Sequence, residues 1–322
     1  MSRPVEVLTV GRVGVDLYPQ QSGVPLARVE TFAKSLGGTA TNVSVAAARL
    51  GRSVAVLTKV GADGFGDYVR DALRAFGVDA SYVGTAPDLL TPVVFCALDP
   101  PEDPPLLFYR LPVAPDLTLS AGDVPWDLVR DVRVLWVTGT GVSVEPARST
   151  QHDLLGHRGR PDPGTGRWTV LDLDWRDQFW PSPEDARREY DAMLDHVNVA
   201  VGNRAEVQVA VGTADPEDAA RRLLDRGVEL VLVKKGADGV LVATQDSMTT
   251  VAPRPVDVVC GLGAGDAFGG ALVHGLLAGW DAVRCADYAN AAGAIVASRL
   301  ACADAMPTAQ EIEAVLARGG AV

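Results

Sequence analysis

A chain of 322 residues, 48 % hydrophobic and 22 % charged, has the composition of a folded core and the length for one large α/β domain or two small ones. Its net charge of −12, with lysine only at positions 34, 59, 234 and 235 and no Lys/Arg stripe, excludes nucleic acid and anionic membrane as expected partners. Neither the cysteines (96, 260, 285, 302) nor the histidines (152, 157, 196, 274) follow a metal or disulfide-framework spacing. The start, Met-Ser-Arg-Pro, runs directly into a strand-like segment without a signal-peptide pattern, and no long apolar span occurs, so a cytoplasmic location is expected.

In chain order, Val5–Val10 reads as a buried strand ending at Gly11, with Asp16 close behind. Loops at the carboxyl ends of strands are where α/β folds place ligands, so Asp16 is a candidate for binding hydroxyls, against the plainer reading of a turn aspartate. Gly37-Gly38-Thr39-Ala40-Thr41-Asn42 opens a predicted helix over Val43–Leu50, with Thr41 and Asn42 as cap-type residues. The paired glycines imply that something approaches the backbone closely. A strand over Ser53–Val60, a turn at Gly61–Gly66 and a helix over Phe65–Phe76 follow.

Residues 91–119 break the alternation: short strands at Thr91–Leu98 and Leu106–Arg110 flank a Pro/Asp-rich turn, Asp99–Pro105, and read as an antiparallel hairpin outside the main sheet. With the irregular segment 12–36 they are expected to form one small β-lid. Arg110, at the end of its second strand, has the planar donor fork that grips a carboxylate, although a solvated edge arginine fits the pattern equally well. Strands then recur at Val132–Val137, Trp168–Leu173, Val197–Val201 and Val228–Val233, with helices at 184–195 and 215–226 and a surface loop at 156–167. A hairpin, Val240–Ala243 with Met248–Ala252, precedes helices at about 264–278, 282–300 and 308–317. Repeating strand–helix units imply one mostly parallel sheet covered on both faces.

The stretch Gly261-Leu262-Gly263-Ala264-Gly265-Asp266 carries the chemistry. Glycines let backbone N–H groups approach an anion, and the helix that starts there adds unpaired donors and a partial positive charge. The position that a dinucleotide fingerprint needs as its last glycine is Asp266, and the only Lys-Ser/Thr pair, Lys34-Ser35, follows Ala33, so neither that fingerprint nor a P-loop is present. An anion cradle with one carboxylate suits phosphoryl transfer to a hydroxyl: the amides hold charge and Asp266 takes the proton.

In family order stand Gly37-Gly38 with Asn42, Gly61/Asp63/Gly66, Asn203/Glu206, Lys235-Gly236-Ala237-Asp238-Gly239 and Gly263-Ala264-Gly265-Asp266. Together they identify the chain as resembling the ribokinase-like, PfkB-type carbohydrate kinases over nearly its whole length. That resemblance implies a single three-layer α/β/α kinase domain over 1–322, with a mostly parallel sheet and lid segments at about 12–36 and 91–119. It implies Asp266 as base, with the amides of Gly263, Ala264 and Gly265 around the transferring phosphoryl. It further implies Asp16, Gly38 and Asn42 on sugar hydroxyls, Asn203 and Glu206 near Mg²⁺ through water, and Gly236, Gly239 and Asn290 beside the nucleotide, with Lys235 in the same ATP-binding stretch. ATP and Mg²⁺ are the implied cofactors, and pairing through the lid is the implied assembly.

The family's usual Asp-Thr-x before Gly-Ala-Gly-Asp is replaced here by Cys260-Gly261-Leu262. A sugar-acid branch also lacks that pair and is similar at Gly11–Pro19, Thr91–Cys96, Phe108-Tyr109-Arg110 and Leu171–Arg176. The resemblance to it implies phosphorylation of the 6-hydroxyl of 5-dehydro-2-deoxy-D-gluconate in inositol breakdown. Tyr109 and Arg110, then Arg176, are its expected contacts to the acid. The alternatives are a kinase for 2-dehydro-3-deoxygluconate or for a neutral sugar such as fructose or ribose, and a non-catalytic sugar sensor, which would need neither Asp266 nor the cradle.

Overall fold

A computed structural model describes residues 4–318 apart from 22, 99 and 101–103. Part of the expected Asp99–Pro105 turn and the first three residues therefore lie outside the described residues. The first half contains β1 (Val7–Val10), β2 (Gly14–Pro19), β3 (Phe32–Gly37), α1 (Thr39–Arg49), β4 (Val54–Gly61), α2 (Gly64–Ala75), β5 (Val83–Ala86), β6 (Val93–Cys96), β7 (Leu106–Tyr109), α3 (Trp126–Asp131), β8 (Val134–Thr138) and α4 (Ala147–Arg158). The second half contains β9 (Trp168–Asp172), α5 (Pro183–Leu194), β10 (Val199–Asn203), α6 (Arg204–Val211), α7 (Pro216–Asp225), β11 (Leu230–Lys234), β12 (Val240–Ala243), β13 (Met248–Val251), α8 (Ala264–Ala278), α9 (Ala282–Ala297) and α10 (Ala309–Arg318).

A nine-stranded sheet runs in the order β13-β12-β11-β10-β9-β8-β1-β4-β5, parallel except at β12 and β13. Side chains alternate across a strand, so a strand covered on both faces is apolar throughout. Val54 and Val56 of β4 accordingly join the core under α1, α8 and α9, while Ala55 and Leu57 join the core under α4, α5 and α7. A second sheet, ordered β3-β2-β6-β7, has β6 and β7 antiparallel and β2 and β6 parallel.

Helix α1 begins at Thr39, four residues before the predicted start, with Gly38 as N-cap at φ 98°. Thr41 and Asn42 therefore lie inside the first turn instead of capping it. Thr41 bonds back to the carbonyls of Gly37 and Gly38 at 2.6 and 2.8 Å, which frees Asn42 for another task. Helices α3, α4 and α6 and strand β5 have no counterpart in the sequence reading. For α6 a signal was present: Asn203-x-x-Glu206 is a capping box, with Asn203 Oδ1 accepting from Glu206 N–H at 2.9 Å and Glu206 Oε2 accepting from Asn203 N–H at 2.6 Å.

Candidate active site

A polar cavity of about 200 Å³ opens between the two sheets. The carboxyl ends of β1, β9, β10 and β11 supply Arg12, Asp172, Asp174, Arg176, Asn203, Glu206 and Lys234; the small sheet supplies Asp16, Val94, Leu106 and Phe108; the loop into α8 closes it with Gly263, Gly265 and Asp266. Parallel strands that end at one edge bring these distant residues together.

The paired glycines have separate causes. A Cβ on Gly37 would fall 2.0 Å from Asp16 Oδ1, so the carboxylate itself fills the space. A Cβ on Gly38 would fall 2.4 Å from the Arg12 carbonyl oxygen, and its φ of 98° also favours glycine. The close approach inferred from sequence is thus made by the protein's own Asp16 and Arg12. At α8, Gly263 is the N-cap in the left-handed region, φ 79°, and a Cβ there would meet Cys302 Sγ at 2.9 Å. Ala264 is the first residue of α8, and its N–H makes only a 3.4 Å contact to Gly261 O. First-turn N–H groups lack intrahelical partners, so those of Gly265 and Asp266 add to an electropositive end that faces the cavity.

Asp266 accepts a 2.8 Å hydrogen bond from Asn42 Nδ2. Burial pushes its carboxyl up to about 6, with the Asn42 donor pulling the other way. Asp16 is also raised to about 6 by burial, against the opposing charge of Arg12. Burial pushes Asp174 upward as well, yet Arg12 and Arg176 outweigh it and hold that carboxyl below its ordinary range. Asp172 stays well above its ordinary value, through burial first and then its neighbouring carboxylates, with Lys234 opposing. Lys234 is raised despite burial, because Glu206 and Asp172 favour its charged form. No carboxylate oxygen of the described residues lies within 4.0 Å of its Nζ, and a Cβ on Gly265 would sit 3.3 Å from that nitrogen.

Sequence reasoning assigned no role to Arg12, Asp172, Asp174 or Lys234. A signal for Lys234 existed: Leu230 and Leu232 pack on the α8 side, and alternation puts Lys234 on the same face. Lys235 points elsewhere, its Nζ donating to Thr250 Oγ1 at 2.9 Å. Gly236 and Gly239 turn the chain after β11 with φ 62° and 81°. Gly239 abuts Val251 and Pro253, and Asn290 Nδ2 donates to Ala252 O at 3.0 Å, so these two meet at one segment, which does not line the cavity.

Tyr109 and Arg110 depart most from expectation. Tyr109 is 60 % exposed and both residues line a separate, largely apolar groove on the outer side of the small sheet. Arg110 Nη2 donates to both oxygens of Asp116 at 3.1 and 2.8 Å, so the group already holds a carboxylate of its own, and burial lowers its pKa against the raising effect of Asp116. The arginines that reach the polar cavity are Arg12 and Arg176.

With this architecture and cavity, the chain belongs to the pfkB family carbohydrate kinases, whose family model matches residues 5–309. The fold is ribokinase-like, with the smaller sheet beside a mostly parallel one. Among its relatives are two proteins named 5-dehydro-2-deoxygluconokinase. The one from Geobacillus thermodenitrificans is 32 % identical over 97 % of this chain and 93 % of its own length; the one from Clostridium tetani is 30 % identical over 97 % and 92 %. An Escherichia coli structure solved with ATP and Mg²⁺ superposes with a TM-score of 0.86 at 25 % identity, covering 98 % of this chain and 100 % of that one.

Proposed function

We propose that this carbohydrate kinase transfers the γ-phosphoryl of ATP to the 6-hydroxyl of 5-dehydro-2-deoxy-D-gluconate, a step in inositol breakdown. The observation that carries the reading is Asp266, a recessed carboxylate with its pKa raised to about 6, at the mouth of the Gly263–Gly265 cradle. Asp16, Gly38 and Asn42 hold sugar hydroxyls, Asp266 takes the proton of the attacking hydroxyl, and the amides of Gly263, Ala264 and Gly265 face the phosphoryl oxygens. The nucleotide lies along Lys235–Gly239 and Asn290. The small sheet covers the sugar and excludes water, which limits ATP hydrolysis. The names of the two relatives support the substrate; phosphorylation rates on that acid, 2-dehydro-3-deoxygluconate, fructose and ribose test it. The acid should have the highest kcat/KM, and a higher value for fructose or ribose would transfer the assignment to a neutral sugar.

Mg²⁺ fits the cavity. It keeps several waters and needs only one or two carboxylates besides the phosphates, and the crowded carboxyls of Asp172 and Glu206 meet that need, with Asn203 at hand for a water-mediated contact. Bound there, the ion supplies charge neutralisation at the phosphates. A homodimer through the small sheet belongs to the same reading, supported by an apolar outer face on which Leu90 is 80 %, Tyr109 60 % and Leu111 92 % exposed.

Lys234 has a role here that a P-loop lysine has elsewhere: its unpartnered ammonium beside Gly265 meets the phosphoryl oxygens as their charge develops. Lys234→Met should lower kcat by about 10²–10³-fold, in the range for losing one such donor, with little change in the sugar KM. An unchanged kcat in steady-state assays would remove Lys234 from the reaction.

The pH profile follows from the raised carboxyls. A base works only as the carboxylate, so activity should be level at neutral pH and fall as pH drops through about 6, with Asp16 steepening the fall. Asn42→Ala removes a donor to the ionised form and should move the fall to higher pH. A profile of kcat/KM flat from pH 5 to 8 would contradict the assignment.

A further inference from the structure

Arg12 lies in the loop between β1 and β2, is only 8 % exposed, and lines the polar cavity. Its guanidinium has few partners for a charge so deeply placed. Nη2 donates to the neutral hydroxyl of Thr39 at 2.5 Å and makes a long ion pair with Asp174, donating to both of its oxygens at 3.4 Å. Nε is buried with no hydrogen-bond partner. The rings of Phe108 and Phe179, at 5.8 and 6.0 Å, shield the group from water. A buried guanidinium needs its donors filled, and here Nε has no protein partner while the ion pair to Asp174 is long. Arg110 is held more tightly: its Nη2 donates to both oxygens of Asp116 at 3.1 and 2.8 Å, against 3.4 Å for Arg12 Nη2 on Asp174.

Arg176 shares the same counter-ion. Its Nε stands 3.5 Å from Asp174 Oδ1 and is likewise buried without a hydrogen-bond partner. Two guanidiniums thus share Asp174 as their nearest carboxylate, with Asp16 acting on Arg12 and Glu206 and Asp266 on Arg176 from further off. Asp174 is held independently: Thr140 Oγ1 donates to it at 2.7 Å and Thr39 Oγ1 at 3.3 Å, and its backbone takes φ 33°, a left-handed value that few residues other than glycine adopt. Such a fixed carboxylate sets where both arginines lie.

We infer that Arg12 is the receptor for the sugar acid's carboxylate, that Arg176 assists it, and that Asp174 is a positioning residue that holds the two side chains apart and facing the cavity. The inference rests on the kinase and sugar-acid reading and gives it a specificity determinant. The acceptor hydroxyl and the carboxylate are at opposite ends of a six-carbon chain. Asp266 takes the first, and Arg12, anchored on Thr39 and Asp174, takes the second. The edge of a guanidinium offers parallel N–H donors that match the two oxygens of a carboxylate, which explains a demand for arginine here.

The test is steady-state kinetics of wild type, Arg12→Ala, Arg12→Lys, Asp174→Asn and Arg110→Ala, each with 5-dehydro-2-deoxy-D-gluconate and with fructose. Arg12→Ala should raise KM for the acid by about tenfold to a hundredfold, the range for a charge-assisted hydrogen bond, and leave the KM values for fructose and ATP within about twofold. Arg12→Lys keeps the charge and most of the stem, so it should fold where alanine fails and lose less than alanine while still separating acid from fructose. Asp174→Asn should raise the acid KM with a smaller effect on kcat, a split that general unfolding would not produce. Equal losses for acid and fructose, a loss confined to ATP, or a loss of acid binding in Arg110→Ala and not in the Arg12 variants would each overturn the assignment while leaving the kinase reading intact. A wild type that phosphorylates fructose and no acid overturns the carboxylate receptor and the substrate reading together; one that phosphorylates no sugar overturns the kinase reading too.

Discussion

Replacing Asp266 with Asn is expected to lower kcat by about 10²–10⁴-fold, the span for losing a general base, while the fold and nucleotide binding persist. The geometry makes this substitution clean. Asp266 is in the first turn of α8 and accepts a hydrogen bond from Asn42 Nδ2 at 2.8 Å, which an asparagine amide oxygen can accept as well. What disappears is only the capacity to take a proton. The fall in activity below about pH 6 should become shallower, because Asp266 no longer titrates and only Asp16 still does. Single-turnover rates with the sugar at saturation check the first expectation, and near-normal turnover would strip Asp266 of its role.

Gly265→Val is expected to cost about 10²–10³ in kcat, comparable with losing a donor aimed at developing charge. The first carbon of any side chain would stand 3.3 Å from Lys234 Nζ, and the valine branches would displace that ammonium and cover the amides of the first turn. Gly263 is the poorer choice for this test. Its φ of 79° and the 2.9 Å approach to Cys302 Sγ mean that a side chain there would disrupt the loop before any effect on phosphate could be read. Gly265 has a helical backbone and no such constraint, so circular dichroism of the variant should stay native. Native dichroism together with unchanged turnover would show that the cradle does not hold the phosphoryl group.

The contrast between those two glycines illustrates what a sequence reveals about this fold. Helix α8 was legible to the residue, because Gly263 and Gly279 mark its ends and an apolar pattern fills the interval. The place of Asp266 in its first turn was legible for the same reason, being set by local chain geometry. Arg12 was not. Its place in the cavity comes from lying beside Asp174, 162 positions later in the chain, and the pairing of β1 with β8 and β8 with β9 brings the two loops together. Lys234 and Lys235 look alike in sequence, and the choice between them depends on which face of β11 covers α8. Arg110 has the chemistry to bind an acid, but Asp116, six residues on, folds back and pairs with its Nη2. Helix α4 carries polar residues such as Gln151, His152 and Arg158 through much of its length, which obscured its apolar face.

The most direct measurement is the phosphorus NMR spectrum of the protein incubated with ATP, Mg²⁺ and 5-dehydro-2-deoxy-D-gluconate. Transfer to the primary 6-hydroxyl predicts a new phosphomonoester signal split into a triplet by the two protons on C6, growing as the γ-phosphorus signal of ATP declines. A growing signal of inorganic phosphate alone, or an ATP spectrum that does not change, would contradict the account.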